Sequence, residues 1–186
     1  MTVQPRMLNH PFYQAWSRGE VSRETLAAYH RSYADFIQEI PSYWQIVVNA
    51  FQPDLPQGST IVQEERDHIL LWETWGRDLA TPDEFPKLQP IMNAFSAMTP
   101  SQLLGAIQAF EMQQPEVART KKEALVRHYG FSEGALEYFD EHVMEEKHIA
   151  YGTWLAERFA NRGEFEEGFA RGAELAYRSL DAFVVQ

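Results

Sequence analysis

The chain reads as an all-α bundle of about seven helices, on three observations. Apolar residues recur at three- and four-residue spacing in segment after segment, no alternating strand pattern of useful length interrupts them, and several boundaries carry helix-capping chemistry. In "SRETLAAYHRSYADFIQEI", residues 22–40, Leu26, Tyr29, Tyr33, Phe36, Ile37 and Ile40 line one helix face. Pro41 lacks an amide proton and crowds the preceding turn, so it is expected to kink or break that helix before "SYWQIVVNAF" resumes it. "PDLPQGS", residues 53–59, reads as a loop from its Pro and Gly content. The next helix runs through Glu64, His68 and Trp72 and stops near "GRDLATPDEF". Thr81, Pro82 and Glu84 fit an N-cap, a first-turn proline and a capping-box acid, and Thr99, Pro100 and Gln102 repeat that start signal. A long helix follows and ends at Gly130, with a bend expected at Pro115. A further helix spans residues 132–161, and a last one runs through Phe165, Phe169, Leu175, Leu180 and Phe183.

The length of 186 residues suits a single domain, 1–186, with a substantial core. A net charge of −11 argues against nucleic acid or an anionic membrane as partner, since both need a basic footprint. Cysteine is absent, which excludes disulfides, thiolate ligands and cysteine nucleophiles. "MTVQPRMLNHPFY" lacks the apolar core of a signal peptide, and no apolar run approaches the roughly 20 residues that span a bilayer. A soluble, cytoplasmic protein is expected.

Two segments place carboxylates just ahead of a histidine. In "EERDHILLW", residues 64–72, Glu64 or Glu65 shares a helix face with His68. In "YFDEHVMEEKH", residues 138–148, a continuous helix would put Glu145 about 60° from both His142 and His148, whereas Glu146 would point away from His148. Glu145 is therefore preferred. Glu111 sits among Ala106, Ile107, Ala109, Phe110 and Met112, where a buried carboxylate needs a partner. A lone Glu-x-x-His pair is common on solvated helix faces. Two such pairs with an extra histidine and an apolar-flanked glutamate suit one or two non-haem iron or manganese ions better than zinc. His128, beside Gly130, reads as a helix-end cation, His30 as a surface or core residue, and the aromatic stripes as core.

Together these segments resemble the haem-oxygenase-like dimetal oxidases, and within that group the family of the Chlamydia protein associating with death domains. The likeness covers nearly the whole chain: "HPFYQAWSRGEVSRETLAAYHRSY" resembles the opening helices, "EERDHILLW" the first ligand helix, "AFEMQQPEVARTKKEALVRHYGF" the central one and "YFDEHVMEEKH" the last ligand segment. The resemblance implies a haem-oxygenase-like fold with Glu64, His68, Glu111, His142, Glu145 and His148 as ligands to two ions, Fe/Fe or Mn/Fe. It implies an O₂-consuming oxygenase that makes para-aminobenzoate, a folate precursor, from its own Tyr13, with Lys121 as amino donor. O₂, an external reductant and a second copy of the chain, forming a homodimer, are the expected partners. Both the first Glu–His spacing and the His142–His148 segment are shorter than in that family, which keeps Glu65 and Glu146 open as alternatives. An oxygenase with an external amino-acid or fatty-acid substrate and a metal-free helical binding module are the competing readings. A ferritin-like carboxylate bundle would leave His142 without a role.

Overall fold

The computed structural model describes residues 2–52, 54–144 and 146–184. The described residues contain nine α-helices and four short 3₁₀ turns, with no strand among them. In chain order the helices are α1 (Pro11–Ser17), α2 (Arg23–Phe51), α3 (Pro56–Trp75), α4 (Gln89–Ser96), α5 (Pro100–Glu111), α6 (Gln114–Tyr129), α7 (Glu137–Val143), α8 (Glu146–Arg158) and α9 (Arg162–Arg178). None is long and apolar enough to cross a membrane.

Local chemistry sets many of the ends. The Ser22 side chain accepts from the Thr25 amide, and Asn161 accepts from Glu164, each relieving an orphan donor of a first turn. Thr99 and Gln102 form the expected reciprocal capping box at the start of α5. Gly130, at φ 73°, ends α6 in the left-handed conformation that glycine adopts freely.

Four expectations change. Helix α2 continues through Pro41, which is buried inside it, so packing against α3 outweighs the missing hydrogen bond. The supposed loop at 53–59 already belongs to α3 from Pro56, a residue preorganised for a first turn. Thr81–Glu84 starts no helix; α4 begins only at Gln89, with Pro90 in its first turn. The long central helix and the one after it each divide, at Met112–Gln113 and around Met144.

Helix α5 is the axis of the bundle. Ser101 and every residue from Leu103 to Glu111 are buried, a pattern reserved for a helix enclosed on all sides. Its closest neighbour is α9, and the approach depends on glycine. A Cβ on Gly105 would meet the Phe165 carbonyl at 2.2 Å, and one on Gly168 would meet that of Gln102 at 2.0 Å. The obstructing atoms are backbone and have no rotamer into which to retreat. Gly168→Ala should therefore cost about 2–3 kcal/mol and lower the melting temperature by several degrees, measurable by thermal denaturation.

Candidate metal centre

Five helices deliver side chains to one interior point. Helix α3 brings Glu65 and His68, which three-residue spacing sets on one face. Helix α5 ends on Glu111, α7 contributes His142, α8 contributes His148, and Trp44 of α2 closes the group. These six residues are at most 6% exposed. Single donor atoms of Glu65, Glu111 and His148 lie within 4.8 Å of one another. Ligands held at about 2.0–2.2 Å from a common ion stand up to roughly 4.4 Å apart, so the spacing is close to that of a coordination shell.

The histidines are oriented from outside as well as inside. His148 Nδ1 lies 3.1 Å from Glu65 Oε1 and 4.0 Å from Glu111 Oε1, while its Nε2 lies 3.1 Å from Glu64 Oε2. His68 Nδ1 is 3.3 Å from Glu65 Oε2. His142 Nδ1 donates to the Tyr138 carbonyl at 2.7 Å, which leaves Nε2 as the nitrogen able to ligate. The His68 and His142 rings are 4.5 Å apart. Trp44 Nε1 donates to Glu111 Oε1 at 3.4 Å.

Burial pushes the Glu65 carboxyl up, but His148 and His68 beside it outweigh that and hold it well below the usual carboxylate range. Glu65 thus places negative charge in the interior beside Glu111, with imidazoles and an indole N–H around the two carboxyl groups. Oxygen and nitrogen donors without sulfur suit iron or manganese, so the residues present fit a redox metal ion.

The structure sorts the sequence-derived ligands. Glu111 and His148 stand in one donor group with Glu65, and His68 and His142 lie beside it, their rings 4.5 Å apart. Glu64 does not enter the group: its side chain is 31% exposed, pairs with Lys147 at 3.2 Å, and reaches the outer nitrogen of His148. Glu65, left open from the sequence, is the enclosed carboxylate. Both share a helix face with His68, and it is the packing around α3 that encloses Glu65 and leaves Glu64 at the rim. Glu145 lies outside the described residues, and its alternative, Glu146, is exposed in the first turn of α8. His142 and His148 do not share one helical arc, because the chain breaks around Met144 and each sits on its own helix.

Tyr13 and Lys121 also meet. Tyr13 Oη lies 2.9 Å from Tyr29 Oη, and Lys121 Nζ lies 2.6 Å from the same hydroxyl. The amine stands 4.6 Å from the Tyr13 ring centroid. The amine lies among the Tyr13, Trp16 and Tyr29 rings, and burial brings it down to about 7. An interior cavity of about 50 Å³ is bounded by Glu65, His68, Glu111 and His142 together with Tyr13 and Lys121. The break after Glu111, rather than a bend at Pro115, swings Lys121 back toward this space. Sequence reasoning missed Tyr29 and Trp44 as site residues. Both lie in apolar helix stripes, and only their polar ring atoms set them apart from ordinary core.

Known proteins share this architecture. A model of the family described as iron-containing redox enzyme matches residues 61–181. The 4-aminobenzoate synthase of Nitrosomonas europaea is 27% identical over 191 aligned positions, spanning 87% of this chain and 78% of that protein. The 4-aminobenzoate synthase of Chlamydia trachomatis serovar D is 30% identical over 155 positions, 73% of this chain and 67% of that protein. Among solved structures, a TenA homologue from Pseudomonas syringae pv. tomato matches with a TM-score of 0.72 at 13% identity, covering 96% of this chain and 86% of that one. A domain with a haem-oxygenase-like fold from Shewanella denitrificans matches with a TM-score of 0.73 at 17% identity, covering 95% and 84%. The fold is thus the haem-oxygenase-like helical bundle expected from the sequence.

Two measurements follow from the geometry. Glu65→Gln should weaken anaerobic Fe(II) binding, followed by calorimetric titration, more than Glu64→Gln, whose loss should stay within the roughly 10–100-fold typical of an outer partner. The reverse order would move Glu64 into the shell. The second concerns Lys121, whose folded-state pKa lies near 7 against an ordinary 10.5. Between those values the unfolded chain holds a proton that the folded chain lacks, so this residue makes stability rise with pH. Lys121→Met should be the more stable protein by a few kcal/mol near pH 7, with an advantage that shrinks toward about pH 10 in urea titrations.

Proposed function

The chain belongs to the family of iron-containing redox enzymes, and on that basis we propose that it is an oxygenase that forms 4-aminobenzoate from its own Tyr13, with Lys121 supplying the nitrogen. The observation that carries this reading is the meeting of Tyr13 from α1 and Lys121 from α6 in the cavity bounded by candidate ligands. Similarity to the 4-aminobenzoate synthases of Nitrosomonas europaea and Chlamydia trachomatis supports the same product. Atom accounting agrees. A tyrosine side chain holds a ring and one further carbon, as 4-aminobenzoate does, so breaking the Cα–Cβ bond releases the whole skeleton. Cβ becomes the carboxylate carbon, and the lysine nitrogen takes the place of the phenol oxygen.

We take the ions, iron alone or iron with manganese, to be held by Glu65, His68, Glu111, His142 and His148 together with Glu145. Such a centre supplies O₂ activation and accepts electrons from a nearby phenol when an external reductant is present. Glu64 holds the His148 ring in place. Lys121 stays close to the Tyr13 ring face and, with an amine near 7, is substantially neutral and nucleophilic at neutral pH. The cavity volume speaks against an external fatty acid. About 50 Å³ holds a few waters or O₂, far below the roughly 300 Å³ at which ligand pockets begin.

Iron-loaded protein given reductant and O₂ should yield at most one 4-aminobenzoate per chain, with peptide mapping placing the loss at Tyr13. Chains labelled with ¹⁵N-lysine should pass the label to the product. Tyr13→Phe should bind metal normally and make no product, and Lys121→Arg should lose most of it. Many turnovers per chain, or undiminished product from Tyr13→Phe, would exclude self-consumption and leave an oxygenase with an external substrate.

A further inference from the structure

We propose that Tyr29 relays the phenol proton of Tyr13 to the Lys121 amine, so that one hydroxyl couples the two residues the reaction consumes. The inference rests on the roles just proposed for Tyr13 and Lys121. Its geometry is specific: Tyr29 Oη stands 2.9 Å from Tyr13 Oη and 2.6 Å from Lys121 Nζ, and all three residues are buried. Among the described residues, Tyr29 is the hydrogen-bond partner of both. Neighbouring Lys122 turns outward to Asp140, so Lys121 is the amine that faces inward.

The chemistry requires such a path. Burial raises the Tyr13 phenol well above its ordinary value, so charge on that ring is costly and its electron must leave together with its proton. Among the described residues, Tyr29 Oη is the one hydrogen-bonding atom Tyr13 Oη touches. Tyr29 is likewise hard to charge, since burial and the neighbouring tyrosines raise it too, so it must pass one proton on as it takes another. The groups around Lys121 are Tyr13 from α1, Tyr29 and Tyr33 from α2 and Tyr138 from α7, with Glu65, Glu111, His68 and His142 across the cavity. No carboxylate among the described residues lies within ion-pairing reach of its nitrogen.

A neutral amine accepts the proton that the relay delivers. The O–H bond of Tyr13 breaks as one forms at Tyr29, and the original Tyr29 O–H breaks as an N–H forms at Lys121. The electron would be taken up by the O₂-activating metal centre that Glu65, His68, Glu111, His142 and His148 would hold. The products are a neutral phenoxyl radical and an ammonium group, so the ring never carries charge. The same shift turns Tyr29 into an acceptor toward the charged amine, which favours the ammonium.

Lysine titration in metal-free, full-length protein tests the coupling without any turnover. With four lysines in the chain, ¹³C labelling of their Cε atoms resolves Lys121 by NMR. Tyr29→Phe removes the acceptor of its ammonium and should lower its pKa by about one unit. In loaded protein, Tyr13 loss should rise with pH through the Lys121 titration, and in Tyr29→Phe it should be about 100-fold slower and no longer follow that profile. A fluorinated tyrosine at position 29 keeps the ring packed and should shift the profile, which separates proton transfer from a packing defect. An unmoved Lys121 titration, together with a wild-type rate and pH profile in Tyr29→Phe, would reduce Tyr29 to a packed ring. No Tyr13 loss in the wild-type chain would instead sink the self-consumption reading, and the lysine titration would then decide the coupling alone.

Discussion

Carboxylates do not enter a helical interior without a cation, a proton or a set of donors to balance them, and Glu65 and Glu111 enter this one together. Much of the architecture answers that demand. Helix α5 is enclosed on every side and carries Glu111 on its last residue, where the helix stops and the indole of Trp44 reaches one oxygen. Helix α3 turns Glu65 inward beside His68, and α8 sets His148 against both carboxylates. A cation at the focus converts a repulsive group into the point that ties α3, α5, α7 and α8 together.

The two divided helices follow from the same requirement. A straight helix from Ser101 to Gly130 would carry Lys121 about 15 Å beyond Glu111, out of reach of the cavity. Ending α5 at Glu111 and starting α6 with Pro115 in its first turn lets the chain double back. Likewise, a continuous helix would confine His142 and His148 to one arc on one axis. The break around Met144 lets each approach from its own helix, α7 and α8.

On the other side of the cavity the environment is aromatic rather than charged. Tyr13, Tyr29 and Trp16 surround Lys121 with ring faces within 6 Å. Rings stabilise the ammonium less than water does, so the amine loses its proton easily, and they exclude the carboxylates that would keep it charged. The cavity therefore has an acidic, ion-binding wall and an aromatic wall bearing an amine, and its small volume keeps the residues of the second within reach of the first.

Much of this was legible from sequence, for identifiable reasons. Helical periodicity, the Thr99–Gln102 capping box and the Gly130 stop depend on neighbours in the chain, and they appeared where expected. The Glu–His pairs and the apolar flanks of Glu111 marked a metal-binding chemistry before any fold was known, because residue type and short spacing limit what a helix face can do. The choice between Glu64 and Glu65 was different. Both lie within one turn of His68, and only the packing around α3, with His148 of α8 set between the two carboxylates, makes one a rim residue and the other an enclosed one. Pro41 and Pro115 carry the same local preference, yet one sits inside a continuous helix and the other follows a break, because neighbouring helices outweigh a single lost hydrogen bond. The role of Tyr29 lay beyond sequence altogether. An amphipathic stripe records that a side chain points inward, while the tertiary structure alone decides which hydroxyl and which amine it meets there.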